Sequence, residues 1–183
     1  AHNTFEEHLE DNDYRLVESR FWLAKYLRAK GRTKKSTIPL EKNIELFEQI
    51  DGASHPYELA SRAFLVEAYE TTNQRDRATK HCIAIGNMTP WSNNQEQVPL
   101  FRVNPKYPVH QARLGKDGWV EMEITIDKFG FVKNPIIIDS EGGESFIKES
   151  IKAIDKWRYA PKFENGQPIE APTSVRLDFK IGS

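Results

Sequence analysis

One cysteine, Cys82, is all the thiol this 183-residue sequence contains. That excludes an internal disulfide and a thiolate-rich zinc site, and it leaves the redox compartment undecided. On its own it reads as a small residue on a helix. Long apolar runs are also missing. None approaches the roughly 20 residues needed to span a bilayer, and stretches such as Pro135-Ile136-Ile137-Ile138 are strand-sized. There is no excess of either charge. The formal net charge is −1, with Lys/Arg and Asp/Glu interspersed, so neither nucleic acid nor an anionic membrane is indicated. No Gly-rich phosphate loop occurs. No leader is recognised, and Ala1-His2-Asn3 reads either as what small-residue cleavage leaves or as a boundary of other origin.

Candidates for catalysis are as sparse. His81 and Cys82 are neighbours on an expected helix, pointing to different sides, with no orienting Asp or Asn beside them. His2 and His8 lack the spacing of a metal site. Glu121 and Glu123 share a strand face where solvent exposure accounts for both. The expectation is a chain without enzymatic activity, cofactor or metal.

The chain changes character near residue 90, from helical to strand periodicity of its apolar residues. Tyr14, Val17, Phe21, Ala24 and Leu27 mark one helical face, and Gly31 with Arg32, Lys34 and Lys35 reads as its end and a loop. A second helix is expected after Pro39, with Ile44, Phe47 and Ile50 inward, ending at Asp51-Gly52. A third starts near Pro56 and carries Leu59, Ala63, Val66 and Ala68 to Tyr69. A fourth runs from about Arg75 to Met88 with Ala78, Cys82 and Ile85 on one side. These four suggest paired antiparallel hairpins. From Thr89 to Asn104 the polar, proline-containing sequence predicts no regular element, although Trp91, Leu100 and Phe101 suggest that it is docked.

Beyond it, Val120, Met122, Ile124 and Ile126 alternate with Glu121, Glu123 and Thr125, the pattern of a half-buried strand. Asp127-Lys128-Phe129-Gly130 predicts a turn and Phe131–Asp139 a hairpin partner, bulged or outward-facing at Pro135. Glu141-Gly142-Gly143 breaks the sheet. Ile147, Ile151 and Ile154 repeat at helical spacing up to Trp157, with Pro161 as the stop. Glu164-Asn165-Gly166-Gln167 is a turn. Ser174–Ile181 reads as the last strand, with Val175, Leu177, Phe179 and Ile181 inward.

Two resemblances follow from these residues. Leu65, Tyr69, Ala78 and Pro90 are spaced as in a tetratricopeptide repeat, although Arg62, Val66 and Cys82 stand where Trp, Gly and a large aromatic are usual. The first two helices have no comparable match, and the loop read between them is too long. The second resemblance covers about residues 105–181. Tyr107-Pro108, Gly118-Trp119-Val120, Asp127 to Val132, Ala153 to Pro161 with its Trp157-Arg158-Tyr159, Asn165 to Pro168, and Leu177-Asp178-Phe179 together resemble the C-terminal domain of the TonB energy-transducing proteins.

The expected fold class is therefore α+β. Helical, tetratricopeptide-like hairpins over 1–90 precede a linker over 91–104 and a β-β-α-β domain with a three-stranded antiparallel sheet over 105–183. The TonB resemblance implies a periplasmic protein of a Gram-negative bacterium, either soluble or part of a longer protein anchored in the inner membrane. It implies that the last strand takes up a TonB-box peptide of an outer-membrane TonB-dependent receptor by strand addition, in energy-coupled uptake of substrates such as iron-siderophores. The binding positions so implied are Ser174, Val175, Arg176, Leu177, Asp178, Phe179 and Lys180, with Asn104, Pro105, Lys106 and Tyr107 before the domain; Asn104-Pro105 stands where the family usually has Gln-Pro. An ExbB/ExbD-type inner-membrane complex or another periplasmic protein is the expected partner of the helices, and nucleic acid is not. The competing expectation is an adaptor or scaffold whose TonB-like domain pairs with itself in a homodimer.

Overall fold

A computed structural model describes residues 2–10, 13–50, 55–91 and 96–181. Two compact units make up the chain, Ala1–Met88 and Thr89–Ser183.

The first unit is all helical: α1 (His2–His8), α2 (Tyr14–Ala29), α3 (Thr33–Phe47), α4 (Pro56–Thr71) and α5 (Arg75–Met88). Asp13 caps α2 by accepting from the Arg15 N–H, and Pro56 opens α4 behind a His55 cap. α3 differs most from expectation, beginning at Thr33 with Pro39 inside it. An internal proline costs about 3 kcal/mol. Burying Leu40 and Ile44 beside it, at roughly 1.5–3 kcal/mol each, offsets that cost. The basic run is therefore the first turn of a helix, and only residues 30–32 separate α2 from α3, as 72–74 separate α4 from α5. Both hairpins are tight, so the long loop expected between the first two helices is not there.

Ala24, Leu40, Ile44, Leu65, Tyr69 and Ala78 form the core, with Cys82 and Ile85 also buried. Three residues read as inward are exposed instead: Tyr14, Leu59 and Ile50. Tyr14 packs edge-on against Tyr57 at the surface, and Ile50 lies beyond the end of α3. The expected stop at Asp51-Gly52 falls outside the described residues.

A polar knot ties α3 to α4 and α5. The Glu41 carboxylate accepts from the Tyr69 hydroxyl and from Arg77 at 3.2 Å. His81 Nε2 lies 3.5 Å from the same oxygen, its ring stacked on Tyr69 at 5.9 Å. Burial alone would raise the Glu41 pKa. Hydrogen bonds from His81 and Tyr69, with the charges of His81 and Arg77, instead hold it at about 2, against an ordinary 4.5. Because the folded value is depressed, this stabilisation is complete above pH 4.5 and lost as pH falls toward 2. The loss is expected to be about 2–3 kcal/mol. Helical melts should show it between those two pH values, and Glu41→Gln should abolish that part of the pH dependence.

The second unit begins with a strand where none was expected. β1 (Pro99–Phe101) pairs antiparallel with β4 (Arg158–Tyr159). Gln97 adds a side-chain hydrogen bond to the Ala160 carbonyl at 3.1 Å, and Trp157 Nε1 donates to the Val103 carbonyl at 2.8 Å. These long-range partners order a polar segment that has no local reason to be a strand. α6 (Val109–Arg113) follows Tyr107-Pro108.

The main sheet runs β3-β2-β7, from β2 (Gly118–Ile126), β3 (Val132–Glu141) and β7 (Ala171–Phe179), all antiparallel. The β2–β3 turn closes as read: Asp127 Oδ1 accepts the N–H groups of Phe129 and Phe131, both at 2.9 Å, and Gly130 has φ 85°. The register shifts between Lys133 and Ile136, with Asn134 at φ 47°, and again between Ile137 and Asp139, so one bulge falls at Asn134-Pro135 and a second at Ile138.

α7 (Glu144–Ile154) covers one face of the sheet. It stops at Ile154, three residues before Trp157 and well before Pro161, so that proline is not its terminator. Ending early lets Trp157 turn into the core and lets Arg158–Tyr159 pair as β4. Asn165 and Gly166, at φ 51° and 75°, turn a small hairpin of β5 (Lys162–Glu164) and β6 (Gln167–Ile169). Val120, Met122, Ile124, Ile126, Phe146, Ile154, Trp157, Tyr159, Leu177 and Phe179 fill the core. Ile181, read as inward, is exposed beyond the end of β7.

Candidate peptide-docking edge

β7 is an edge strand. All nine of its residues pair with β2, from Ala171↔Ile126 to Phe179↔Gly118, and among the described residues nothing pairs along its other side. Such a strand presents a row of backbone donors and acceptors to solvent. Along its second half and one residue past it, Arg176 to Lys180 form one wall of a shallow groove of about 430 Å³. Arg102, Asn104, Pro105 and Tyr107 form the other.

The far wall is fixed from within the core. Tyr107 stands edge-on to Phe146 and Phe179, with ring centres at 5.6 and 5.9 Å. Its hydroxyl donates to the Lys116 carbonyl at 2.7 Å. Burial and the nearby Asp117 carboxylate raise its pKa, so it remains a donor at neutral pH. Arg102 lies 4.5 Å over the Trp157 ring, and the Trp157–Val103 hydrogen bond anchors the residue next to it. At the open end, Asp117 accepts the Ile181 N–H at 2.9 Å, fastening the chain just past β7.

On the solvent face of the sheet, Arg176 lies 4.0 Å over Trp119 and donates to Asp178 at 3.2 Å. The Trp119 indole in turn donates to Glu141 at 2.9 Å. Charges on an exposed edge also hinder pairing between copies of the same strand.

Of the positions singled out in the sequence, Asn104, Pro105, Tyr107 and Arg176 to Lys180 meet in this groove. Three do not. Ser174 and Val175 sit further back on β7, opposite Glu123 and Met122. Lys106 lines a neighbouring concavity, which shares Asn104 and Pro105 with the groove and is closed by Glu149, Lys152 and Lys156 of the α7 region. Arg102 was missed, because it falls in a segment that looked irregular and reaches the groove only through the pairing of β1 with β4. Trp119 was read as a strand residue, and only the register of β2 against β7, which sets it opposite Asp178, brings it diagonally under Arg176.

Elsewhere in the molecule, no three His, Cys, Asp or Glu side chains gather as a metal would require among the described residues. No described helix is long and apolar enough to cross a membrane.

Residues 103–181 match the family described as Gram-negative bacterial TonB protein C-terminal. They are a TonB C-terminal domain. The TonB protein of Vibrio cholerae serotype O1 is 28% identical over 80 residues, which are 44% of this chain and 33% of that protein. For the TonB protein of Pseudomonas aeruginosa the figures are 27% over 89 residues, 49% and 26%. The chain thus spans about a third or less of the length of these curated relatives. The solution structure of the Pseudomonas aeruginosa TonB C-terminal domain is 26% identical and has a TM-score of 0.43, over 50% of this chain and 92% of that one. The β7 edge and the Tyr107 wall both lie inside the TonB C-terminal domain; all five helices of the first unit lie outside it.

Proposed function

We propose that this chain is a non-enzymatic, TonB-like coupling protein of the Gram-negative periplasm. Its β7 edge takes up a short extended segment of an outer-membrane TonB-dependent receptor, in energy-coupled uptake of substrates such as iron-siderophores. The observation that carries this reading is the unpaired side of β7, facing a groove whose opposite wall is built from the core. An added strand gains affinity through backbone bonds and tolerates varied side chains. About five ladder bonds at roughly 0.5–1.5 kcal/mol each, with some side-chain burial, bring binding to the micromolar range, about −8 kcal/mol. A joint of that strength forms and releases readily, which suits transient pulling. The helical module over 1–90 serves in this proposal to engage a second envelope protein, an ExbB/ExbD-type complex or another periplasmic partner.

The test uses strand geometry. Successive residues of β7 point their N–H groups to opposite sides. Proline at alternate positions, Arg176→Pro against Leu177→Pro, therefore removes either a donor to β2 or a donor to the open edge. The variant that keeps its thermal melt is expected to lose receptor-peptide affinity at least tenfold, read by fluorescence anisotropy. The proposal fails if a folded variant binds as the parent does. It also fails if sedimentation shows a tight dimer in which the edge is already consumed.

A further inference from the structure

The balanced overall charge conceals a one-sided stretch. Between Glu18 and Glu41 the sequence has no acidic residue, while Arg20, Lys25, Arg28, Lys30, Arg32, Lys34 and Lys35 fall within it. Arg20 is buried against Glu6, and Arg28 pairs with Glu67. The other five are free of ion pairs among the described residues. They occupy the second half of α2, the turn after it and the first turn of α3.

The same surface carries aromatics. Trp22 and Tyr26, one turn apart on α2, are 54% and 57% exposed. The Lys25 ammonium lies 4.4 Å from the Trp22 ring centre, and the Lys30 ammonium 5.8 Å from that of Tyr26. This flank runs into the hairpin end, where residues 31–35 and the hydroxyl residues Thr71 and Thr72 line an open concavity of about 570 Å³. Glu18 bounds the patch, where its Oε1 accepts from the Tyr57 hydroxyl at 3.2 Å and from the Trp22 indole N–H at 3.5 Å.

From this juxtaposition we infer that the α2–α3 face of the helical unit is a docking surface for a bilayer containing anionic phospholipid. Indole and phenol rings with a wet tip and an apolar body settle at the headgroup level. Long lysines bury their stems there and keep their charge in water. An acidic polypeptide would be read by fixed, bidentate guanidinium forks; here the charge is mainly flexible lysine beside exposed rings. The surface is independent of the β7 edge and would hold the helical unit against a membrane whatever that edge binds.

The experiment is co-sedimentation of the full chain with vesicles of equal parts phosphatidylcholine and phosphatidylglycerol, alongside pure phosphatidylcholine vesicles. Tryptophan emission is recorded in parallel. Binding is expected only to the mixed vesicles, with a blue shift that Trp22→Phe removes. Each basic residue contributes about fivefold, so Arg32→Ala/Lys34→Ala/Lys35→Ala should weaken binding about 100-fold. Lys34→Gln/Lys35→Gln, which keeps the side-chain length, should weaken it about 25-fold by the same measure. Circular dichroism of each variant confirms that the helices persist. Lack of binding to mixed vesicles overturns the inference, as does affinity unchanged in the charge variants. Polyglutamate that binds and displaces vesicles without moving the Trp22 emission overturns it too, assigning the face to an acidic polypeptide.

Discussion

Replacing Trp157 with alanine is expected to destabilise the sheet unit by about 3–5 kcal/mol. The side chain is 1% exposed, and three separate interactions converge on it. Its ring lies in the main core with Ile154 and Tyr159, Arg102 stacks over it, and its Nε1 proton satisfies the Val103 carbonyl. Alanine leaves a cavity and also the part-buried Val103 carbonyl without its partner, and the lost hydrogen bond makes up about 1–2 kcal/mol of that total. Trp157→Phe separates the two: it keeps most of the packing and removes only the donor, for an expected cost of about 1–2 kcal/mol. Denaturant unfolding followed by near-ultraviolet circular dichroism measures both. The consequence reaches the groove, since Val103 and Arg102 lead directly into Asn104-Pro105. Trp157→Phe should therefore weaken receptor-peptide binding more than its modest stability cost suggests. If the phenylalanine variant binds as tightly as the parent, the far wall is not positioned through this bond.

How much was legible depended on whether the deciding contacts were local. β2 and β7 were readable because alternation along each strand directly encodes one buried face, and Asn165-Gly166 because a two-residue turn needs positive φ at both positions. α3 was misread because a proline favours the first turn of a helix. Whether it can instead sit inside one is settled by the core that Leu40 and Ile44 join, which no local pattern shows. The early end of α7 has the same origin. Trp157-Arg158-Tyr159 continues a plausible helical pattern, and only the partners Val103 and Pro99 explain why the chain leaves the helix. In α2, periodicity located an apolar face but not which part of it is covered, so Tyr14 was placed inward although it is 55% exposed. For the candidate site, the strand wall was visible as sequence and the opposite wall only in part, since Arg102 arrives through a pairing some 57 positions away along the chain.

Gly142→Ala should be about as damaging as the tryptophan change, by a different route. Gly142 has φ +99°, a conformation alanine adopts only under strain, and its Cβ would meet Phe146 at 2.5 Å and the Asp117 carbonyl at 3.0 Å. Gly118 presses on the same ring from the start of β2, where a Cβ would lie 2.6 Å from Phe146 and from the Glu141 carbonyl. The sheet-to-helix corner is thus built around an aromatic that two backbones approach as closely as glycine allows. Backbone strain of about 1–3 kcal/mol and overpacking of about 1–3 kcal/mol together give an expected loss near 3–5 kcal/mol for Gly142→Ala. Gly143→Ala is the internal control: its φ is +102° with nothing within 4 Å, so it should show the strain alone. The difference between the two variants in denaturant unfolding measures the crowding of Phe146, and the double variant with Phe146→Leu should recover part of it. Phe146 also touches Tyr107 and Phe179, one on each side of the groove. A ring displaced by the extra methyl therefore moves both walls, and peptide affinity should fall in Gly142→Ala but not in Gly143→Ala. Equal losses of stability and of affinity in the two variants would show that Phe146 does not couple the corner to the edge.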